Sequence, residues 1–96
     1  MGYKPFKCVV KQVPGIGKWE QKLYRFKNGY GVSVARHKGT YGFEKGLWEL
    51  AVIKFNEQGK DDWELCYDTD ITGDVVGSLT EVEIEEILAK LEFYPL

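Results

Sequence analysis

Leu23-Tyr24-Arg25-Phe26-Lys27, then Asn28-Gly29, then Tyr30-Gly31-Val32-Ser33-Val34-Ala35 is the stretch on which the fold turns. Two runs rich in aromatic and β-branched residues flank a dipeptide that tolerates positive φ. The segment therefore predicts an antiparallel hairpin closed by a two-residue type I′ turn. Such a turn sets the register, with Lys27 opposite Tyr30, Arg25 opposite Val32 and Leu23 opposite Val34 on one face. Lys22, Tyr24 and Phe26 then share the other face with Gly31, Ser33 and Ala35.

On the N-terminal side, Phe6 to Val13 reads as a strand closed by Pro14-Gly15, since proline presets one dihedral and glycine accepts positive φ. On the C-terminal side, residues 38–46 contain three glycines and read as a connection. Leu47 to Asn56 carries apolar residues at both parities, the pattern of a central strand covered on both faces. Glu57-Gln58-Gly59-Lys60 turns it into a half-buried partner strand, Trp63 to Tyr67. Thr80 and Glu83 form a capping box, Leu79 sits at staple distance from Ile84, and Ile84, Ile87, Leu88 and Leu91 make one apolar helical stripe that Pro95 ends. The fold class is α+β: an antiparallel sheet of four or five strands with one C-terminal amphipathic helix, as a single domain over residues 1–96.

Composition agrees with a folded domain, because 44% of the 96 residues are hydrophobic and 29% charged, far from the range in which chains stay disordered. The longest apolar run is Leu50-Ala51-Val52-Ile53, much shorter than the roughly 20 residues that cross a bilayer, and the first 25 residues show no secretory pattern. The expected setting is the cytoplasm, away from any membrane. Cys8 and Cys66 then read as free thiols. The net charge of −2 hides a sorting by position: residues 1–40 hold nine Lys or Arg against one acid, and residues 41–96 hold four Lys against fourteen acids. Either the two halves interleave in the sheet as cross-strand ion pairs, or the sorting marks surfaces for charged partners.

Local motifs exclude several chemistries. Pro14-Gly15-Ile16-Gly17-Lys18 lacks the spacing of a phosphate loop, and Trp19 stands where a metal-binding hydroxyl belongs. Residues 68–75 place oxygen ligands as a calcium loop would, but Leu79 occupies the position of the bidentate Glu, so the stretch reads as a turn-rich connector. His37, the lone histidine, has neither a zinc-type neighbour nor a nucleophile at motif spacing. The expectation is a non-enzymatic protein without cofactor or metal.

Five antiparallel strands span about 24 Å while one helix spans about 10–12 Å, so part of the sheet needs curvature, a second copy or a partner to cover it. Two binding surfaces follow. The acids after residue 40, with Asp61, Asp62 and Glu64 as representatives, or the uncovered aromatic sheet face, suit a protein partner. Lys22, Tyr24, Phe26, Arg36, His37, Lys38 and Tyr41 form a basic and aromatic cluster that suits nucleic acid or a nucleotide, by stacking and phosphate contact. A homodimer is a further use of the uncovered sheet.

The segments 22–34, 47–52 and 65–72 (KLYRFKNGYGVSV, LWELAV and LCYDTDIT) resemble a group of small uncharacterised proteins encoded in bacteriophage and prophage genomes, over residues 21–92. The resemblance brings no catalytic or ligand residue with it. It implies the cytoplasm of an infected bacterium and a role in binding and inhibiting a host protein, such as one of host defence, or in sequestering a nucleotide.

Overall fold

From the first strand to the fifth, each pairs with the next one along the chain, and the sixth returns to the fourth. The computed structural model describes residues 3–40, 42–56, 62–66 and 76–94. Among these residues the strands are β1 (Lys7–Val13), β2 (Gly17–Arg25), β3 (Tyr30–Arg36), β4 (Trp48–Phe55), β5 (Trp63–Leu65) and β6 (Val76–Leu79), and the α-helix is α1 (Glu81–Glu92). They form one antiparallel sheet in the order β1-β2-β3-β4-β5, with β6 also on β4. β5 lies beside Ile53, Lys54 and Phe55, while β6 lies beside Trp48 and Leu50 across a register irregularity, so the two short strands divide one edge of β4 between them. The sheet thus has one strand more than the four or five expected, and β2 begins six residues before Leu23.

β4 is the central strand that its two-parity pattern predicts. Trp48, Leu50 and Val52 face α1, together with Tyr24, Val32 and Val34 from the neighbouring strands, and close on Ile84, Leu88 and Leu91. Ile53 and Phe55 point the other way and gather Leu23 and the half-buried Trp63 into a smaller cluster. Leu50, Ile53, Leu88 and Leu91 are each 0% exposed, so both sides of β4 contribute to the core.

The hairpin register differs from the expected one. Tyr24 lies opposite Val32, Arg25 opposite Gly31 and Leu23 opposite Ser33, a shift of one residue. The loop has three residues: Gly29 N–H donates to the Phe26 carbonyl at 3.1 Å, and Phe26 N–H to the Tyr30 carbonyl at 2.8 Å. Gly29 takes positive φ (88°) and Asn28 does not, the arrangement of a turn followed by a bulge glycine. A one-residue slip exchanges faces, and only the observed register places Tyr24 beside Val32 and Val34 under the helix; the two-residue turn would have set Arg25 there.

The helix starts where its capping box predicts. Thr80 Oγ1 accepts from Glu83 N–H at 3.2 Å, and Glu83 Oε1 accepts from Thr80 N–H at 2.9 Å. Glu81 and Glu83 lie in the first turn and Lys90 in the last, in line with the helix dipole. Thr80→Ala removes one side of the box and is expected to lower stability by about 1 kcal/mol, read as a shifted urea midpoint at unchanged slope. An unshifted midpoint would mean that packing of Ile84 and Leu88 alone sets this helix start.

Candidate protein interface

Sequential strand order has an electrostatic consequence. Because β1, β2 and β3 come from the basic part of the chain and stay together at one side of the sheet, the two charge classes do not interleave along the strand order. Lys7, Lys11, Lys18, Lys22, Arg25 and Arg36 all project from these three strands, and Glu20 is their one acid. Glu49 on β4 and the exposed Asp62 and Glu64 follow further along the sheet, while Glu81, Glu85 and Glu92 of α1 lie over β2, bordering the clefts that Lys22 and Lys27 also line.

Glu20 organises part of the basic region. Its carboxylate accepts from Arg36 Nε at 2.9 Å and lies 3.6 Å from Lys18 Nζ. The Arg36 hydrogen bond holds the Glu20 carboxyl below the usual glutamate range, partial burial opposes the shift, and Lys18 adds to it. A carboxyl whose folded pKa is lowered gives stability that is complete above the unfolded value, about 4.3, and is lost as pH falls through the folded value. Acidification from pH 7 to 3 is therefore expected to lower the melting temperature of wild type more than that of Glu20→Gln. Parallel curves for the two proteins would contradict this.

The rings of this region are already occupied. Lys11 Nζ sits 4.8 Å from the Trp19 ring, Lys22 Nζ and the Arg36 guanidinium lie 4.6 and 4.0 Å from Trp48, and the Arg25 guanidinium lies 3.9 Å from Phe55 and 5.0 Å from Phe6. With Lys54 near Tyr30 this makes six such contacts among the described residues, where about one per 70–80 residues is ordinary. The aromatic side chains thus serve as seats for the chain's own cations. Large exposed apolar side chains are dispersed: Phe6 and Leu65 on the face opposite α1, Val10 and Ile16 on the β1–β2 hairpin, Val82 and Phe93 on or just past the helix. Such single exposures do not form one bare apolar face.

The basic and aromatic cluster expected from sequence is divided by the fold. Tyr24 is only 7% exposed, packed under α1, and burial pushes its phenol pKa up. Lys22 and Arg36 flank Trp48 on that same side, and Arg36 also donates to the Gly46 carbonyl at 2.8 Å. Phe26 meets Tyr3 edge-on at 5.8 Å. His37 instead stacks on Trp19, at 5.6 Å and 20°. A turn that the buried Thr40 ties to His37 leaves Lys38 exposed. Of the acidic candidates, Asp62 and Glu64 are exposed beside β4, with Glu64 opposite Lys54. Tyr41 and Asp61 lie outside the described residues, as does the connector 68–75.

Between the N-terminal segment, β2 and α1 run two clefts of about 480 and 220 Å³. Tyr3 borders both, its N–H donating to Glu85 at 3.1 Å and its hydroxyl to Glu92 at 2.7 Å. These carboxylates are thus engaged in tying the N-terminal segment to the helix. Among the described residues no three His, Cys, Asp or Glu side chains gather as a metal site, and no helix is long and apolar enough to cross a membrane. Cys8 and Cys66 are both free thiols.

The residues that sequence reasoning passed over are those of β1 and Trp19. Lysines at 7 and 11 within a β-branched strand were the available signal, because lysine is a common guard of sheet edges. Comparison with protein-family models, curated proteins and solved structures gave no match.

Proposed function

We propose that this chain is a non-enzymatic binding module that engages another protein through its basic half, β1 to β3. In the phage setting that the sequence resemblance implies, the partner is a host protein and binding inhibits it. The observation that carries the reading is the strand order: β1, β2 and β3, with six Lys or Arg against the one acid Glu20, lie side by side at one end of the sheet. Such a field steers an oppositely charged partner and rejects like-charged ones. Nucleic acid is the weaker match, because single-strand recognition uses open rings for stacking. Here Tyr24 is buried, and Trp19 and Trp48 carry the chain's own cations.

The test is affinity capture from a bacterial lysate, run with and without nuclease, with the wild-type chain, a Lys7→Glu/Lys11→Glu variant and a Glu81→Lys/Glu86→Lys variant. One protein retained in stoichiometric amount by the wild-type chain and the helix variant, weakened by salt and lost from the β1 variant, is the expected result. Retained material that nuclease removes would transfer the function to nucleic acid.

A further inference from the structure

The larger of the two clefts, about 480 Å³, falls within the roughly 300–1,000 Å³ of small-molecule sites. It opens between the N-terminal segment, the chain just past β2 and the end of α1. Its lining includes Tyr3 and Phe26, which meet edge-on at 5.8 Å, and Phe93, just past the helix and 80% exposed. Phe93 makes no contact with another ring or a cation among the described residues, although it is their most exposed large apolar side chain. Lys4 and Lys27 line the same cleft, both exposed. Unlike Lys11, Lys22 and Arg36, neither side chain makes an ion pair, hydrogen bond or ring contact among the described residues. We infer that this cleft binds a small organic anion whose charge is carried on an aromatic ring system. The site goes beyond the protein-binding reading and holds whichever protein the basic strands engage.

Charge and ring chemistry together select the ligand. An anionic group that reaches Lys4 and Lys27 accepts charge-assisted hydrogen bonds, while its aromatic body covers Phe26 and Phe93, offset or edge-on. Arg25 also lines the cleft, but its guanidinium lies on the Phe6 and Phe55 rings, so the two lysines are the ligand's partners. Glu92 is the one carboxylate there, and the Tyr3 hydroxyl donates to it at 2.7 Å, so it is held within the chain. Its charge opposes an anion, but the lysines outnumber it. An organic cation would meet two ammonium groups, and a neutral ring would use the walls and leave both lysines in water. The smaller cleft lacks this character: it carries Glu81 and Glu85, and its one lysine, Lys22, is seated on Trp48.

The experiment titrates the full ¹⁵N-labelled chain with 2-naphthoate and, as controls, with its uncharged alcohol, its amine and acetate. Saturable shifts of the Lys4, Phe26, Lys27 and Phe93 amides by 2-naphthoate are expected, with each control about tenfold weaker or more. Lys4→Gln/Lys27→Gln removes both charges at exposed positions and should weaken 2-naphthoate about tenfold at an unchanged melting temperature. Phe93→Ala should weaken it about fivefold, and Glu92→Gln, which keeps an acceptor for the Tyr3 hydroxyl, should tighten it about threefold. Equal binding of naphthoate and the alcohol, or full affinity in the lysine variant, overturns the inference and leaves only adsorption to an exposed ring. Tighter binding of the amine, or weaker binding of naphthoate to Glu92→Gln, reverses the charge assignment and overturns it as well. So does the absence of any saturable shift at millimolar naphthoate.

Discussion

Gly31→Ala is expected to lower stability by about 3 kcal/mol, the range of overpacking without a route to relax. A methyl group at this position would run into the backbone carbonyl of Tyr24 and come within 2.8 Å of Phe55 Cε2. A ring edge can tilt, but the Tyr24 carbonyl belongs to β2, and shifting it disturbs the β2–β3 ladder next to the hairpin loop. Total stability of a domain is about 5–15 kcal/mol, and 1 kcal/mol corresponds to about 4–8 °C at this size, so the melting temperature should fall by about 15 °C. Gly29→Ala is the control: Gly29 has positive φ but open space around it, so the cost there is backbone strain of about 1 kcal/mol. Equal melting temperatures for the two variants would contradict the observed register, which alone brings Gly31 against Tyr24.

Asn28→Asp is the second large effect. The Asn28 side-chain amide donates to the carbonyls of Leu91 at 2.9 Å and Tyr94 at 3.2 Å, while its oxygen accepts from Tyr30 N–H at 3.0 Å. One side chain therefore closes the hairpin loop and adds a donor to carbonyls at and just past the end of α1, where Leu91 also accepts from Tyr94 N–H at 3.0 Å. Asn28→Ala loses all three bonds, an expected cost of about 2 kcal/mol. Asn28→Asp keeps the acceptor for Tyr30 but turns a negative charge toward the negative end of the helix dipole, which adds about 0.3–1 kcal/mol. Near those carbonyls the introduced carboxyl has a raised pKa, so its penalty grows as pH rises through the acid range. Chemical denaturation at pH 3 and pH 7 reads this directly: relative to Asn28→Ala, Asn28→Asp should lose stability between pH 3 and pH 7. A gap independent of pH would mean that the charge does not sense the helix end.

The sequence pattern carried the helix, the central strand and the fold class because each rests on local chemistry. Thr80 and Glu83 are three residues apart, and β4 shows its two-sided burial in its own apolar spacing. The hairpin register was not legible, because Asn28-Gly29 fits both a two-residue and a three-residue loop. Contacts far along the chain favour the second: Asn28 reaches residues 91 and 94, and Tyr24 belongs under the helix. The early part of β2 was missed because Lys18-Trp19-Glu20-Gln21-Lys22 has little apolar alternation; it is a strand through its ladders with β1 and β3. β6 was missed because four residues with positive φ at Ser78 resemble a connection. At the candidate site, the charge sorting was legible, but whether it survived in space depended on strand order. The basic and aromatic candidates dispersed because residue number does not say which face of a sheet a side chain takes.

Charge, edge and ring occupancy point to one surface. Glu20 and the aromatic seats hold Arg36, Lys18 and Lys22 within the domain. β1 lies beyond them at the end of the sheet, with five of its seven residues exposed.

Amide hydrogen exchange on the full chain, with and without the protein it retains from lysate, tests this surface most directly. Protection centred on Lys7–Val13, with smaller changes in β2, is the expected result. Protection centred on α1, or on β5 and the chain beside it, with β1 unchanged, would contradict the account and assign binding to the acidic half.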